Sequence, residues 1–123
     1  MKLTNQIICE KAAEIQAAFS KETKYIPVKL NFAIQKNLAN LIKLQEEIEV
    51  NRLKIASEYG ELDEANQRYI ILDNNREIVM KEMNDLFSIE QEIEIKTCKL
   101  SDMGDIDLTM EQMQAIMFMI EED

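Results

Sequence analysis

The hydrophobic positions between Pro27 and Gly60 follow a heptad pattern, through a stretch that contains no helix-breaking residue. Apolar side chains recur at alternating spacings of four and three, and asparagine replaces them twice. This spacing predicts one continuous α-helix at about residues 28–59, with a seam along one side. The seam positions are Leu30, Ile34, Asn37, Leu41, Leu44, Ile48, Asn51 and Ile55.

The length of this helix raises a packing problem. At 1.5 Å per residue the helix is about 48 Å long. A compact domain of 123 residues has a diameter of only roughly 35 Å. The helix therefore bends, or it projects and buries its seam against a second copy or a partner. We expect a homo-oligomer built along this seam.

The two seam asparagines have two interpretations. Asn37 and Asn51 could fix the register and number of chains in an oligomer, as polar residues do at core heptad positions. Alternatively, the helix rotates so that Leu38, Ile42 and Leu53 also face inward and both asparagines lie at the margin. Such a wide apolar stripe favours a helix that packs within its own domain on one side and against a copy on the other.

Three shorter helices are predicted from apolar side chains at helical spacing, at about residues 5–19, 74–88 and 110–121. The last begins with a capping box, because Gln112 follows Thr109 by three residues. Gly60 is expected to end the long helix in a left-handed conformation.

Two segments have the character of β-strands. Residues 68–72 are β-branched and aromatic, and residues 92–97 alternate polar with apolar side chains. Together they predict a small two-stranded sheet. The chain is expected to form a single domain, 1–123, that is mainly α, or α+β if the sheet forms.

Charge is divided unevenly along the chain. Residues 1–60 contain nine Lys or Arg and seven Asp or Glu, whereas residues 61–123 contain five and seventeen. The acidic half argues against binding of duplex nucleic acid, which requires a cationic surface. It favours attraction to a basic protein surface instead.

The residue types that are missing exclude most kinds of catalytic site. The chain has no histidine, two glycines and two isolated cysteines, Cys9 and Cys98. This removes His-dependent nucleophilic catalysis, glycine-rich phosphate loops and cysteine zinc sites. We therefore predict a non-enzymatic protein without a cofactor and with free thiols, and a carboxylate-based enzyme ranks third among the functional hypotheses.

The acidic cluster around Gly104 is predicted to be a solvated loop. Asp102, Asp105, Asp107 and Glu111 offer oxygen ligands, but their spacing does not match an EF-hand. No metal site is therefore expected. No apolar run is long enough for a membrane span, and residues 1–10 do not have the pattern of a signal peptide. These features predict a cytoplasmic protein that does not associate with membranes.

One basic stretch could bind an anion. Lys24, Tyr25 and Lys29 flank the start of the long helix, where free amides favour negative charge. Arg68 and Tyr69 could add a fork-shaped donor and a stacking ring. The alternative is ordinary charge pairing between this stretch and the acidic half, within one chain or across a dimer.

The final helix carries a methionine-rich set of side chains: Met110, Met113, Met117 and Phe118. Methionine repacks easily, so these side chains could form an adaptable partner surface. Alternatively, they fill the core against the long helix.

Five segments resemble a family of small proteins of phages and prophages of Gram-positive bacteria. The segments are KLTNQI, YIPVKLNFAIQKN, EYGE, MNDLFSIEQEIEI and MQAIMFMIEE. The resemblance implies a phage-encoded, cytoplasmic, non-enzymatic protein and carries over no site residues.

Two functions are expected from these observations. The first is a counter-defence protein that sequesters or blocks either a basic host defence protein or an anionic signalling nucleotide in the host cell. The second is a morphogenesis factor, such as a tail-assembly chaperone, that holds an unassembled partner.

Overall fold

The computed structural model describes residues 1–20 and 26–122. The fold is mainly α with some β, as predicted. The helices are α1 (Asn5–Ala18), α2 (Val28–Tyr59), α3 (Arg76–Ser88), α4 (Leu100–Met103) and α5 (Met110–Ile116). The bounds predicted for the long helix agree with those of α2. The last predicted helix is shorter than expected, because one turn of 3₁₀ helix and a strand replace its end.

Short strands form three two-stranded sheets in the described part of the chain. The strands are β1 (Lys2–Thr4), β2 (Gly60–Asp63), β3 (Arg68–Ile71), β4 (Glu90–Glu92), β5 (Cys98–Lys99) and β6 (Ile120–Glu121). β1 pairs with β4 and β2 with β3, both antiparallel, whereas β5 and β6 are parallel.

The two segments predicted to pair with each other have other partners. β3 pairs with β2 across a short turn at residues 64–67, since a local hairpin closes with little loss of chain entropy. The second predicted segment, 92–97, overlaps β4 only at Glu92. Its alternation instead reflects burial, because Ile93 lies in the core and Ile95 packs against it.

Two shorter helices of the same chain pack against the long helix. α1 packs against α2 as far as Glu49, which lies near Cys9. α3 packs against the following turns, where Asn51, Ile55 and Leu86 line one depression. The two shorter helices meet where the backbone N–H of Asn5 donates to the carbonyl of Ile89 at 2.9 Å. Two helices placed in series thus cover one side of a helix of about 48 Å.

The seam of α2 forms the core of the chain itself. Leu30, Ile34, Asn37, Leu41 and Ile48 are buried in this single chain, so they are not available to a second copy. Leu44 and Ile55 are half-buried, and Asn51 is exposed. For the five buried residues, the expected role in an oligomer seam is therefore corrected to an intramolecular one. The homo-oligomer stays a prediction without support from the seam.

Gly60 ends the helix in a way that differs from the prediction. Its φ of −129° and ψ of 175° are extended rather than left-handed, so it continues directly into β2. A Cβ at this position would lie 2.8 Å from the carbonyl oxygens of Ala56 and Ile70. Glycine is therefore required here by close backbone approach and not by φ. The predicted capping box of Thr109 and Gln112 is confirmed.

Candidate partner-binding surfaces

The region farthest from the core is weakly buried. We call residues 49–92 the distal lobe: it comprises the last turns of α2, the β2–β3 hairpin, α3 and β4. Ala56 is its one fully buried residue, and none of the α3 side chains is fully buried. The main core cluster draws its buried members from outside this lobe. The distal lobe therefore folds as an attachment to the core.

Large apolar side chains are exposed on this lobe. Eight of the fifteen such side chains in the described residues belong to it, although it holds little more than a third of the chain. They are Val50, Leu53, Leu62, Ile70, Leu72, Ile78, Met80 and Ile89. The lobe therefore holds more of the exposed apolar side chains than its share of the chain would give.

The distal lobe is also acidic. It contains eleven Asp or Glu and five Lys or Arg, which gives a net charge of 5 − 11 = −6. Three of the five cations are paired with neighbouring carboxylates: Arg52 with Glu49, Arg76 with Asp73 and Lys81 with Asp85. The unpaired charge at the surface is therefore mostly negative.

One of these pairs has a clear effect on ionisation. The Arg52 guanidinium donates two hydrogen bonds to Glu49, at 2.8 and 2.5 Å. These bonds, rather than burial, lower the pKa of the Glu49 carboxyl below its ordinary value. The carboxylate thus stays ionised in mildly acidic solution.

A buried asparagine fixes the lobe to the core. The Asn5 side chain, which is 3% exposed, donates from Nδ2 to the Leu86 carbonyl at 2.8 Å. Its Oδ1 accepts from Gln91 Nε2 at 2.7 Å. At the other end of α3, Asn75 Nδ2 donates to the Tyr59 carbonyl at 3.0 Å. Hydrogen bonds at both ends of α3 thus fix this helix against α1 and against the end of α2.

The predicted methionine-rich surface is divided in two. Met110 and Met117 are exposed, whereas Met113 and Phe118 are half-buried and pack against the core. Lys11 Nζ lies 5.3 Å from the centre of the Phe118 ring. The exposed pair leaves the predicted partner surface available, and its role in binding stays a prediction.

The predicted anion site is not assembled as expected. Lys24 and Tyr25 lie outside the described residues. Lys29 is at the start of α2, whereas Arg68 and Tyr69 are in the hairpin that follows its end. The thirty residue-to-residue steps of helix from Lys29 to Tyr59 span about 45 Å. Arg68 and Tyr69 therefore cannot share a site with Lys29, which corrects the prediction.

Lys29 instead lines a cleft between α2, α4 and the parallel β5–β6 pair. The cleft has a volume of about 780 Å³. The side chains that line it include Phe32, Lys96, Thr97, Lys99, Asp102 and Glu121. Sequence reasoning missed these residues, because only the pairing of Cys98 with Ile120 brings residues 96–99 beside residue 121. Lys96 and Lys99, two positive charges close together in the acidic half of the sequence, were the one local signal that could have indicated this site.

One carboxylate of the acidic loop is engaged in an ion pair. Asp102 pairs with Lys29, with its Oδ1 3.2 Å from Lys29 Nζ. Within the described residues, no group of three or more potential ligands is placed to hold a metal ion.

The cysteines are free thiols, as predicted. Burial raises the pKa of Cys98, and the nearby Asp102 carboxylate raises it further. Cys9 is only half-buried.

The described helices were also compared with the requirements of a membrane span. None of them is both long and apolar enough to cross a bilayer.

Comparison with known proteins gives no match. No protein-family model, no curated protein and no solved structure is significantly similar to this chain.

Proposed function

We propose that this chain is a phage-encoded, non-enzymatic binding protein that blocks a basic host defence protein by docking it on the distal lobe. One observation carries the proposal: the lobe combines eight exposed large apolar side chains with a net charge of −6. Apolar contact supplies affinity, and the charge selects and steers a cationic partner.

The charge of the lobe favours a basic protein over other occupants. A second copy would bring a lobe of the same sign against this one, and like charges in contact are repulsive. Nucleic acid would meet the same repulsion from its phosphates. A cationic protein with an apolar patch satisfies both the charge and the exposed side chains.

The host-defence setting rests on the resemblance to small phage proteins, and the protein would act in the host cytoplasm. A morphogenesis factor is the second candidate, and a separate observation favours it. Met110 and Met117 are 78% and 64% exposed outside the distal lobe. Adaptable methionines at a second apolar surface suit a chaperone that holds an unassembled subunit.

The test is direct binding to a purified partner. The partner is first captured from infected host cells on the immobilised chain, and its affinity is then measured by calorimetry. We expect the Ile70→Ser and Met80→Ser double variant to weaken binding at least tenfold, because both side chains are exposed and apolar. The matched control is Ile7→Ser, an exposed apolar residue of α1. Equal affinities for all three proteins would refute the distal lobe as the docking surface.

The salt dependence of the affinity tests the role of charge, and the identity of the partner distinguishes the two functions. Affinity should fall as ionic strength rises from about 0.05 to 0.5 M, because exposed charges are screened. A partner from a host defence system supports the first function. A virion subunit whose binding is lost in a Met110→Ser and Met117→Ser variant supports the second.

A further inference from the structure

The cleft at the start of α2 has the size of a small-molecule site. Its volume of about 780 Å³ lies within the range of roughly 300–1,000 Å³ found for organic ligands. An inorganic ion would fill only a small part of it. The cleft therefore has room for an organic molecule with several groups.

The cleft has a small excess of positive charge, because three lysines, Lys29, Lys96 and Lys99, line it together with two carboxylates, Asp102 and Glu121. Lys29 is paired with Asp102 at 3.2 Å, so its charge is largely compensated. Lys96 and Lys99 form no ion pair with a described residue, and both are exposed. Both line the cleft, so each has an ammonium group that can donate to a phosphate or another compact anion bound there.

An aromatic ring stands beside these cations. Phe32 is 55% exposed, and Lys96 Nζ lies over its ring at 6.0 Å from the centre, so a stacked base displaces this ammonium group towards the phosphate. Val28, one helical turn away and 76% exposed, extends the apolar wall. An exposed phenylalanine face next to an ammonium group suits a planar ring that carries a negative substituent.

The remaining wall can accept hydrogen bonds. The Thr97 hydroxyl donates to Glu121 Oε2 at 3.2 Å, which positions that carboxylate at the cleft. A carboxylate has further lone pairs for hydroxyl or amino donors of a ligand. The cleft thus offers a stacking face, two cations and an acceptor.

We propose that this cleft binds a nucleoside phosphate. The base stacks on Phe32, the phosphate lies between Lys96 and Lys99, and Glu121 accepts from a sugar hydroxyl or a base amino group. The ligand is anionic and small, whereas the proposed partner of the distal lobe is a cationic protein. Refuting one of the two proposals therefore leaves the other unaffected.

Calorimetric titration tests the cleft with four probes: ADP, GDP, CDP and UDP. At least one should bind, and ribose 5-phosphate, which lacks a base, should bind at least tenfold more weakly than that nucleotide. Phe32→Leu and the double variant Lys96→Gln, Lys99→Gln should each raise the Kd about tenfold or more. The matched control is Lys43→Gln, an exposed lysine of α2 outside the cleft. Circular dichroism confirms that each variant is folded.

Three results would overturn this assignment. Absence of binding by all four nucleotides excludes the ligand class. Binding that is unchanged in the Lys96 and Lys99 variant places the ligand elsewhere. Ribose 5-phosphate that binds as tightly as the nucleotide removes the role of the Phe32 ring and leaves a simple sugar-phosphate or anion site.

Discussion

The side-chain amide of Asn37 forms two hydrogen bonds with the backbone of Lys96. Its Oδ1 accepts from the Lys96 N–H at 2.8 Å, and its Nδ2 donates to the Lys96 carbonyl at 2.8 Å. Asn37 is 1% exposed and its Nδ2 also lies 3.5 Å from Met119 Sδ. The amide therefore takes the place of a neighbouring strand for the backbone of Lys96, and it fixes this part of the chain against α2.

Replacement of Asn37 by alanine should destabilise the protein by about 1–3 kcal/mol. The substitution leaves a partly buried N–H and carbonyl of Lys96 without their partners, and unsatisfied polar groups cost roughly that amount. Urea unfolding monitored by circular dichroism measures the change. The matched control is Asn51→Ala, at the exposed seam asparagine, which should alter stability by less than about 0.5 kcal/mol. Equal losses in both variants would contradict the role of Asn37.

Replacement of Gly60 by alanine should destabilise the protein by about 1–3 kcal/mol through overpacking. The added Cβ would meet two backbone oxygens at 2.8 Å and Ile71 Cδ1 at 2.9 Å. Backbone oxygens cannot move without opening the helix end or the hairpin. Thermal unfolding measures the loss, and Ser57→Ala on the exposed face of the same turn serves as control. A melting temperature unchanged by Gly60→Ala would contradict this, because it would show that the hairpin backbone shifts at no cost to accommodate the added Cβ.

The Glu49 carboxyl should titrate at a lower pH than an ordinary glutamate, because Arg52 hydrogen-bonds to its ionised form. Carbon-detected NMR titration measures this pKa directly. Arg52→Gln should raise it towards the ordinary value, whereas Lys54→Gln should leave it nearly unchanged. A Glu49 pKa that does not respond to Arg52→Gln would contradict the pairing.

The same pair gives a pH dependence of stability. Since the folded pKa lies below the unfolded one, the contribution is present above the unfolded pKa of about 4.3. It is lost as the pH falls through the folded pKa. For an exposed helical pair the effect is about 0.3–0.5 kcal/mol. Unfolding of the wild type and of Arg52→Gln should therefore differ at pH 7 and converge near pH 2.

Amides of the distal lobe should exchange with solvent faster than those of the core. The lobe has one fully buried residue, so it can open locally at a lower free energy than global unfolding. Hydrogen exchange followed by mass spectrometry should show the hairpin and α3 deuterated well before residues 30–48 of α2. Uniform protection along the chain would indicate that the lobe is stabilised as strongly as the core. Addition of a docked partner should slow exchange in the lobe selectively.

The elements set by local pattern were predictable from sequence. The heptad spacing and the flanking Pro27 and Gly60 gave the bounds of α2, and the Thr109–Gln112 box gave the start of α5. The burial of Asn37 was one of two open interpretations. Periodicity places a side chain on a face, but it does not say whether that face meets the same chain or another one.

The features that depend on distant pairings were not predictable. The hairpin was missed because β2 reads as a polar loop, and its pairing with β3 follows from the extended conformation of Gly60. The cleft was missed because residues 96–99 and 121 are joined only by a two-residue parallel ladder. A ladder of two residues is too short to produce a recognisable alternation of apolar and polar positions.

The unbroken α2 helix sets a fixed distance between the elements at its two ends. Its residues 28–59 contain neither proline nor glycine, so the cleft at one end and the hairpin at the other are held about 45 Å apart. A small ligand and a docked protein at these two ends would be out of reach of each other. One chain could then carry both at once, as an adaptor with fixed spacing, and occupancy at one end would add no steric penalty at the other.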